Sequence, residues 1–82
     1  HIDPETILRR TLQFGMKQNP NADFEWHFAR AYEHMLAKYA DGGYMRLWLH
    51  SKRNIEGLTA LRAIIDDKEY LKTICKRIFQ TL

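Results

Sequence analysis

The side chains that most often carry chemistry are few in this sequence, and their spacing does not suit a reaction or a metal ion. His27 and His34 are seven residues apart, which on a helix corresponds to two turns, or about 10.5 Å along the axis. Metal-binding pairs on one helix use closer spacing, so we interpret these histidines as solvated groups on one polar face. Cys75 lies among apolar residues at helical spacing, which favours a packed thiol over a nucleophile. The sequence therefore predicts no enzyme, no catalytic or metal site and no cofactor.

Charge is the more informative property of the chain. Residues 1–41 carry five Lys and Arg against six acids, whereas residues 42–82 carry eight against four. In the second half the basic residues fall into two stripes at helical spacing: Arg46, His50 and Arg53, followed by Lys68, Lys72 and Lys76. These six residues are candidate contacts for an acidic protein, a nucleic acid or an anionic membrane. The alternative is an ordinary solvated basic face.

Two aromatic residues complete the set of candidate binding residues. Trp26 lies at the edge of an apolar helical stripe, so it is either a core residue or a partly exposed anchor for a partner. Trp48 lies in an apolar segment, and we predict it in the core. Tyr44 is then the aromatic residue near the first basic stripe that remains for stacking on a nucleic-acid base.

Helices must position these residues, because helical signals dominate the chain. Apolar residues recur at three-to-four spacing in four segments, and no alternating run of the strand type competes with them. Asp3-Pro4 predicts the start of the first helix. A second helix follows, for which Asn19-Pro20 repeats the Asp3-Pro4 signal and Asp23 is a second possible cap. Its apolar stripe runs from Phe24 to Ala40, and Asp41-Gly42-Gly43 ends the helix.

The second half is predicted to hold three further helices. Residues 44–51 are apolar nearly all round, and we predict a short, deeply packed helix there, because the chain offers no partner strand. Asn54 is the predicted cap of the next helix. Asp66 is the predicted cap of the last helix, with Glu69 completing a capping box.

Chain length limits the architecture. A chain of 82 residues has room for one domain, and size scaling gives burial of about 64% of its unfolded surface. We predict an all-α fold, a single small domain over 1–82 in which four to five short helices pack as an orthogonal or antiparallel bundle. The predicted centre of the core comprises Phe28, Tyr32, Met35, Leu47, Trp48, Leu61, Ile65, Leu71, Ile74 and Ile78. The missing initiator Met points to a trimmed chain, a processed product or a fragment of a longer protein.

The same features suggest a compartment and a class of function. The lone cysteine is consistent with a reducing, intracellular compartment, and no apolar run approaches the roughly 18 residues of a membrane span. We expect a non-enzymatic helical protein–protein interaction module of a larger protein or assembly, whose partner presents an acidic or amphipathic surface. The alternative is a nucleic-acid-binding domain that uses the basic faces of the C-terminal helices. The sequence gives no indication of an oligomeric state.

Overall fold

Five α-helices account for most of residues 3–47 and 54–82, the parts of the chain that the computed structural model describes. They are α1 (Pro4–Gln18), α2 (Phe24–Ala40), α3 (Gly43–Leu47), α4 (Asn54–Asp66) and α5 (Lys68–Thr81). These residues contain no strand, so the predicted all-α fold is confirmed for them. The helices α1, α2, α4 and α5 all contact one another, and α3 contacts α2 and α4. None of the described helices is both long and apolar enough to cross a lipid bilayer.

Predicted caps begin the first two helices, and of the two candidate caps for α2 the structure uses Asp23, whereas Asn19 is the C-cap of α1. The Asp3 carboxylate accepts a hydrogen bond from the N–H of Thr6 at 2.8 Å, and the Asp23 carboxylate accepts one from the N–H of Trp26 at 2.9 Å. Each bond satisfies a backbone donor that has no partner inside its own helix. α2 ends at Ala40, and the chain turns away at Gly42, whose φ of +79° lies in the left-handed region that glycine adopts without steric cost.

The cap of α5 is Asp67, so the prediction of Asp66 was wrong by one residue. The Asp67 carboxylate accepts a hydrogen bond from the N–H of Tyr70 at 3.1 Å. Asp66 is the last residue of α4, and its carboxylate accepts a hydrogen bond from Arg62 at 3.0 Å. The backbone N–H of Asp67 still bonds the carbonyl of Ala63, so α4 continues one residue beyond its apolar pattern. The two helices therefore meet with Asp67 alone between them.

All five helices contribute to one apolar core. Its buried members are Ile7, Leu8, Leu12, Phe28, Ala31, Met35, Tyr44, Leu61, Ile65, Leu71, Ile74, Cys75 and Ile78. Seven of the ten predicted core residues are among them, and Tyr32 packs against their edge. The apolar stripe of α1 supplies the first three members, at the three-to-four spacing that buries one face of a helix.

α3 is not the deeply packed helix that the sequence predicts. Tyr44 is buried, but Met45 and Leu47 are 49% and 47% exposed, so the assignment of Leu47 to the core was wrong. A helix of five residues makes little more than one turn, and Tyr44 occupies the side that faces the core. Trp48 and the rest of the predicted segment 44–51 lie outside the described residues.

His27 is buried, and the prediction that it is solvated was wrong. Its side chain is 1% exposed, and neither ring nitrogen has a hydrogen-bond partner among the described residues. The ring lies against Trp26 and Phe79, with centroid distances of 5.0 and 5.6 Å. Gly15 of α1 lies opposite, and a Cβ built on it would come within 3.2 Å of His27 Nδ1. The missing side chain at Gly15 therefore lets α1 approach this ring closely.

Candidate anion-binding surface

Two of the three lysines in the predicted basic stripe on α5, Lys68 and Lys72, lie against α2, so the stripe does not form an open patch. Lys72 Nζ lies 3.1 Å from Glu25 Oε1 and 5.7 Å from the centroid of the Phe28 ring. Lys68 Nζ lies 5.0 Å from the centroid of the Tyr32 ring. Both lysines are thus engaged by groups of the neighbouring helix.

Acidic side chains share the groove between α2 and α5 with these lysines. The groove has a volume of about 520 Å³, and its charged lining residues are Lys68 and Lys72 together with Glu25, Glu33 and Glu69. Lys76 is exposed outside this groove. Of the three lysines in the stripe, Lys76 is therefore exposed outside the groove, whereas Lys68 and Lys72 share the groove with carboxylates that offset their charge.

The remaining predicted binding residues are dispersed. Arg46 is exposed on α3, while His50 and Arg53 lie outside the described residues. Tyr44 is buried in the core, where burial raises the pKa of its phenol to about 12, so its ring is not available for stacking at the surface. Trp26 is 41% exposed, so its interpretation as a core residue is wrong, and its role as an anchor for a partner stays a prediction.

A basic surface that the sequence analysis did not identify lies along α1. It consists of two adjoining grooves that share Arg10 and Phe14. The α1–α2 groove, of about 310 Å³, is lined by Arg10, Thr11, Phe14, Arg30, His34 and Lys38. The α1–α5 groove, of about 720 Å³, is lined by Arg9, Arg10, Gln13, Phe14, Met16, Lys17, Thr81 and Leu82. The two grooves together are called the α1 basic surface.

The α1 basic surface contains the basic residues of the first half of the chain but none of its acidic residues. All five Lys and Arg residues of the segment 1–41 line one groove or the other, and none of its six acids does. None of these five cations forms an ion pair within residues 3–47 and 54–82, whereas Arg62, Lys72 and Arg77 on α4 and α5 each pair with a carboxylate. The positive charge of the α1 basic surface is therefore directed at solvent.

Arg30 is held in place inside the α1–α2 groove. Its Nη2 donates a hydrogen bond to Gln18 Oε1 at 3.1 Å, and its guanidinium carbon lies 5.5 Å from the centroid of the Phe14 ring. A guanidinium over an aromatic face is attracted by the ring quadrupole. The Phe14 side chain itself remains 56% exposed. The groove thus presents an oriented cation beside an open aromatic ring.

The protonation of His34 reflects the positive charge of the same groove. Partial burial lowers the pKa of this imidazole, and Lys38 and Arg30 lower it further, while Asp41 acts in the opposite direction. Neighbouring cations disfavour a second positive charge. The cations therefore outweigh the nearby carboxylate at the position of His34.

Helical spacing explains how the surface forms and why charge counting missed it. Arg30, His34 and Lys38 recur at every fourth position of α2, and Arg10 and Lys17 lie two turns apart on α1, so each set shares a face of its helix. Net charge summed over residues 1–41 hides this separation, because acids on other faces cancel the cations. The row on α2 is the sequence signal that could have revealed it.

The described residues contain no cluster of side chains suited to a metal ion. Nowhere in residues 3–47 and 54–82 do three His, Cys, Asp or Glu side chains lie close enough to share a metal ion. Cys75 is 1% exposed in the core, and burial raises the pKa of its thiol to about 11, as expected of a packed thiol. A comparison of the chain with protein-family models, curated proteins and solved structures gave no match.

Proposed function

We propose that this chain is a non-enzymatic helical interaction module, which binds an acidic, amphipathic segment of a partner protein on the α1 basic surface. One observation carries the proposal: the five cations of the first half of the chain line this surface, and its six acids do not. A surface of one sign attracts partners of the other sign and speeds their encounter.

The apolar residues of the surface favour an amphipathic partner over a purely acidic one. Phe14 is 56% exposed where the two grooves meet, and Leu82 is 41% exposed in the α1–α5 groove. Large apolar side chains within a polar rim are typical of protein interaction sites. Arg10 and Lys17 flank Phe14 along about 10.5 Å of α1, which matches two turns of a partner helix with acids on either side of an apolar anchor.

A single-stranded nucleic acid is the second candidate partner, and one observation favours it on this surface. Proteins that bind single strands combine a basic groove with aromatic rings on which bases stack, and Phe14 is an exposed ring among cations. The basic faces of the C-terminal helices receive less support for this role, because Lys68 and Lys72 share their groove with three acids.

Titrations with two probes separate these candidates. Fluorescence anisotropy would measure the binding of the full chain to an acidic amphipathic peptide and to single-stranded oligo(dT) of equal charge, each at low and at moderate salt. We expect the peptide to bind more tightly. We also expect its affinity to fall less steeply with salt, because nucleic-acid binding releases the counterions condensed on phosphates.

Three single variants locate the binding surface. Phe14→Ala and Arg10→Glu alter the α1 basic surface, and Lys76→Glu makes the same charge change as Arg10→Glu at an exposed position outside both grooves. We expect the first two to weaken peptide binding by about tenfold or more and the control to change it by less than about twofold. Equal effects of Arg10→Glu and Lys76→Glu, or no binding of either probe, would show that the proposal is wrong.

A further inference from the structure

We infer that the α1–α2 groove binds a phosphate monoester carried by the partner segment, such as a phosphorylated side chain supplies. The inference rests on the proposed function, because it names the acidic group that the module recognises. The groove brings together Arg10 from α1 with Arg30 and Lys38 from α2, and His34 lies between the last two in sequence. No Asp or Glu belongs to its lining.

The charge of the groove fits a phosphate better than a carboxylate. Three permanent cations face a space of about 310 Å³. A carboxylate would bring one negative charge and two acceptor oxygens, whereas a phosphate monoester brings about −1.5 to −2 charges and three acceptor oxygens near neutral pH. The volume is at the lower end of ligand sites, which suits one phosphate and the side chain that carries it.

The arginines supply the geometry that phosphate binding requires. A guanidinium is a planar fork that can donate to two phosphate oxygens at once. Arg30 is already held by Gln18 and by the Phe14 ring, so it loses less side-chain freedom when a ligand binds. Phe14 also offers an apolar surface to the methylene groups of a phosphorylated side chain.

His34 makes the site sensitive to proton binding. Partial burial disfavours its protonation, as do Lys38 and Arg30 on the same helix, whereas Asp41 at the C-cap favours it. Arg10 faces the same groove from α1. A bound phosphate offsets these cations, so the imidazolium becomes more favourable and provides a further hydrogen-bond donor. By linkage, phosphate binding takes up a proton and raises the pKa of His34.

Three peptides that differ at one central position test the inference. They share one acidic amphipathic sequence and carry Ser, Glu or phosphoserine at that position, and anisotropy titrations measure their affinities for the full chain. We expect phosphoserine to bind about tenfold or more tightly than Ser, with Glu between them. In NMR titrations of the histidine rings, we expect the pKa of His34 to rise with the phosphopeptide more than with the Glu peptide.

Variants of the two grooves provide a matched control. Arg10→Gln and Lys38→Gln should remove most of the preference for phosphoserine. Lys17→Gln, which alters only the α1–α5 groove, should weaken all three peptides and leave their ratio unchanged. Melting curves would show that each variant folds, and Lys38→Gln carries the test alone if Arg10→Gln does not fold.

The outcomes distinguish this inference from the proposed function. Equal affinities for the three peptides overturn the phosphate site and leave the acidic-partner proposal standing, whereas no binding of any peptide overturns both. If oligo(dT) binds more tightly than the phosphopeptide and loses affinity with Lys38→Gln, which alters only the α1–α2 groove, this groove binds phosphodiesters and the inference is wrong.

Discussion

Replacing Gly15 with alanine should destabilise this protein, although alanine is the better helix former. Gly15 is buried in α1, and a Cβ built on it would lie 3.2 Å from His27 Nδ1 and 3.3 Å from Arg30 Nη1. Both distances are shorter than an ordinary van der Waals contact. The Arg30 atom is the end of a flexible side chain and can move. The His27 ring is buried against Phe79 and has little room to do so.

Two effects of opposite sign determine how much Gly15→Ala changes the free energy of unfolding. Alanine is favoured over glycine by about 1 kcal/mol in a helix interior, whereas extra atoms in a well-packed site cost about 1–3 kcal/mol. We therefore expect Gly15→Ala to lower the free energy of unfolding by about 0–2 kcal/mol. In a His27→Ala background the ring is absent, so the same substitution should raise that free energy by about 1 kcal/mol.

Urea denaturation of four proteins, followed by far-ultraviolet circular dichroism at one pH, measures this reversal. The four are the wild type, the two single variants and the double variant. The double-mutant cycle should give a coupling energy of about 1–3 kcal/mol between the two positions. If Gly15→Ala stabilises the wild type as much as it stabilises the His27→Ala variant, the crowding argument fails and His27 does not limit this position.

Three further predictions concern single residues. Asp67→Ala should lower stability by about 0.5–2 kcal/mol because a helix cap is lost, and Asp66→Ala by no more than about 1 kcal/mol because only a surface ion pair is lost; a larger thermal shift for Asp66→Ala than for Asp67→Ala would contradict the cap assignment. Cys75 should react with a thiol reagent far more slowly in native buffer than in urea, and equal rates would place it at the surface. The pKa of His34 in the folded protein lies below its ordinary value of 6.5. The imidazole of the unfolded chain therefore takes up a proton at a higher pH than that of the folded protein, so stability should decrease as the pH falls below about 6.5. His34→Gln should reduce that slope, and an unchanged slope would refute the assignment.

The features that the sequence predicts correctly are those that depend on a few neighbouring residues. Asp3 and Asp23 bond amides three positions away, and Gly42 needs only its own lack of a side chain to adopt a positive φ. The apolar faces of the long helices follow from three-to-four spacing alone. Asp66 shows the limit of this local reasoning, since its neighbour is an equally good cap and a backbone hydrogen bond decides between them.

The features that the sequence does not predict depend on which helices surround a residue. α2 contacts all four other helices, so its buried arc is wider than its apolar stripe and takes in His27. Leu47 is apolar, yet α3 is too short to bury more than one side. The α1 basic surface is of the same kind, because it needs Arg10 and Arg30 from two helices to be brought together. Predicting such a surface requires the arrangement of the helices as well as their existence.

Gly15 also connects the packing of the helices to the proposed phosphate site, and its two effects can be separated. A Cβ at this position would crowd Arg30 Nη1 at 3.3 Å, and this contact does not involve His27. Gly15→Ala should therefore weaken phosphopeptide binding both in the wild type and in the His27→Ala variant, where it makes the fold more stable. A hydrogen bond to a charged group contributes about 1.5–3 kcal/mol, so a displacement of Arg30 that costs about half of one such bond should lower the affinity by about threefold to tenfold. The anisotropy titration with the phosphoserine peptide measures this fall in affinity. An unchanged affinity in the double variant would show that Arg30 does not contact the phosphate from the position it occupies in this structure.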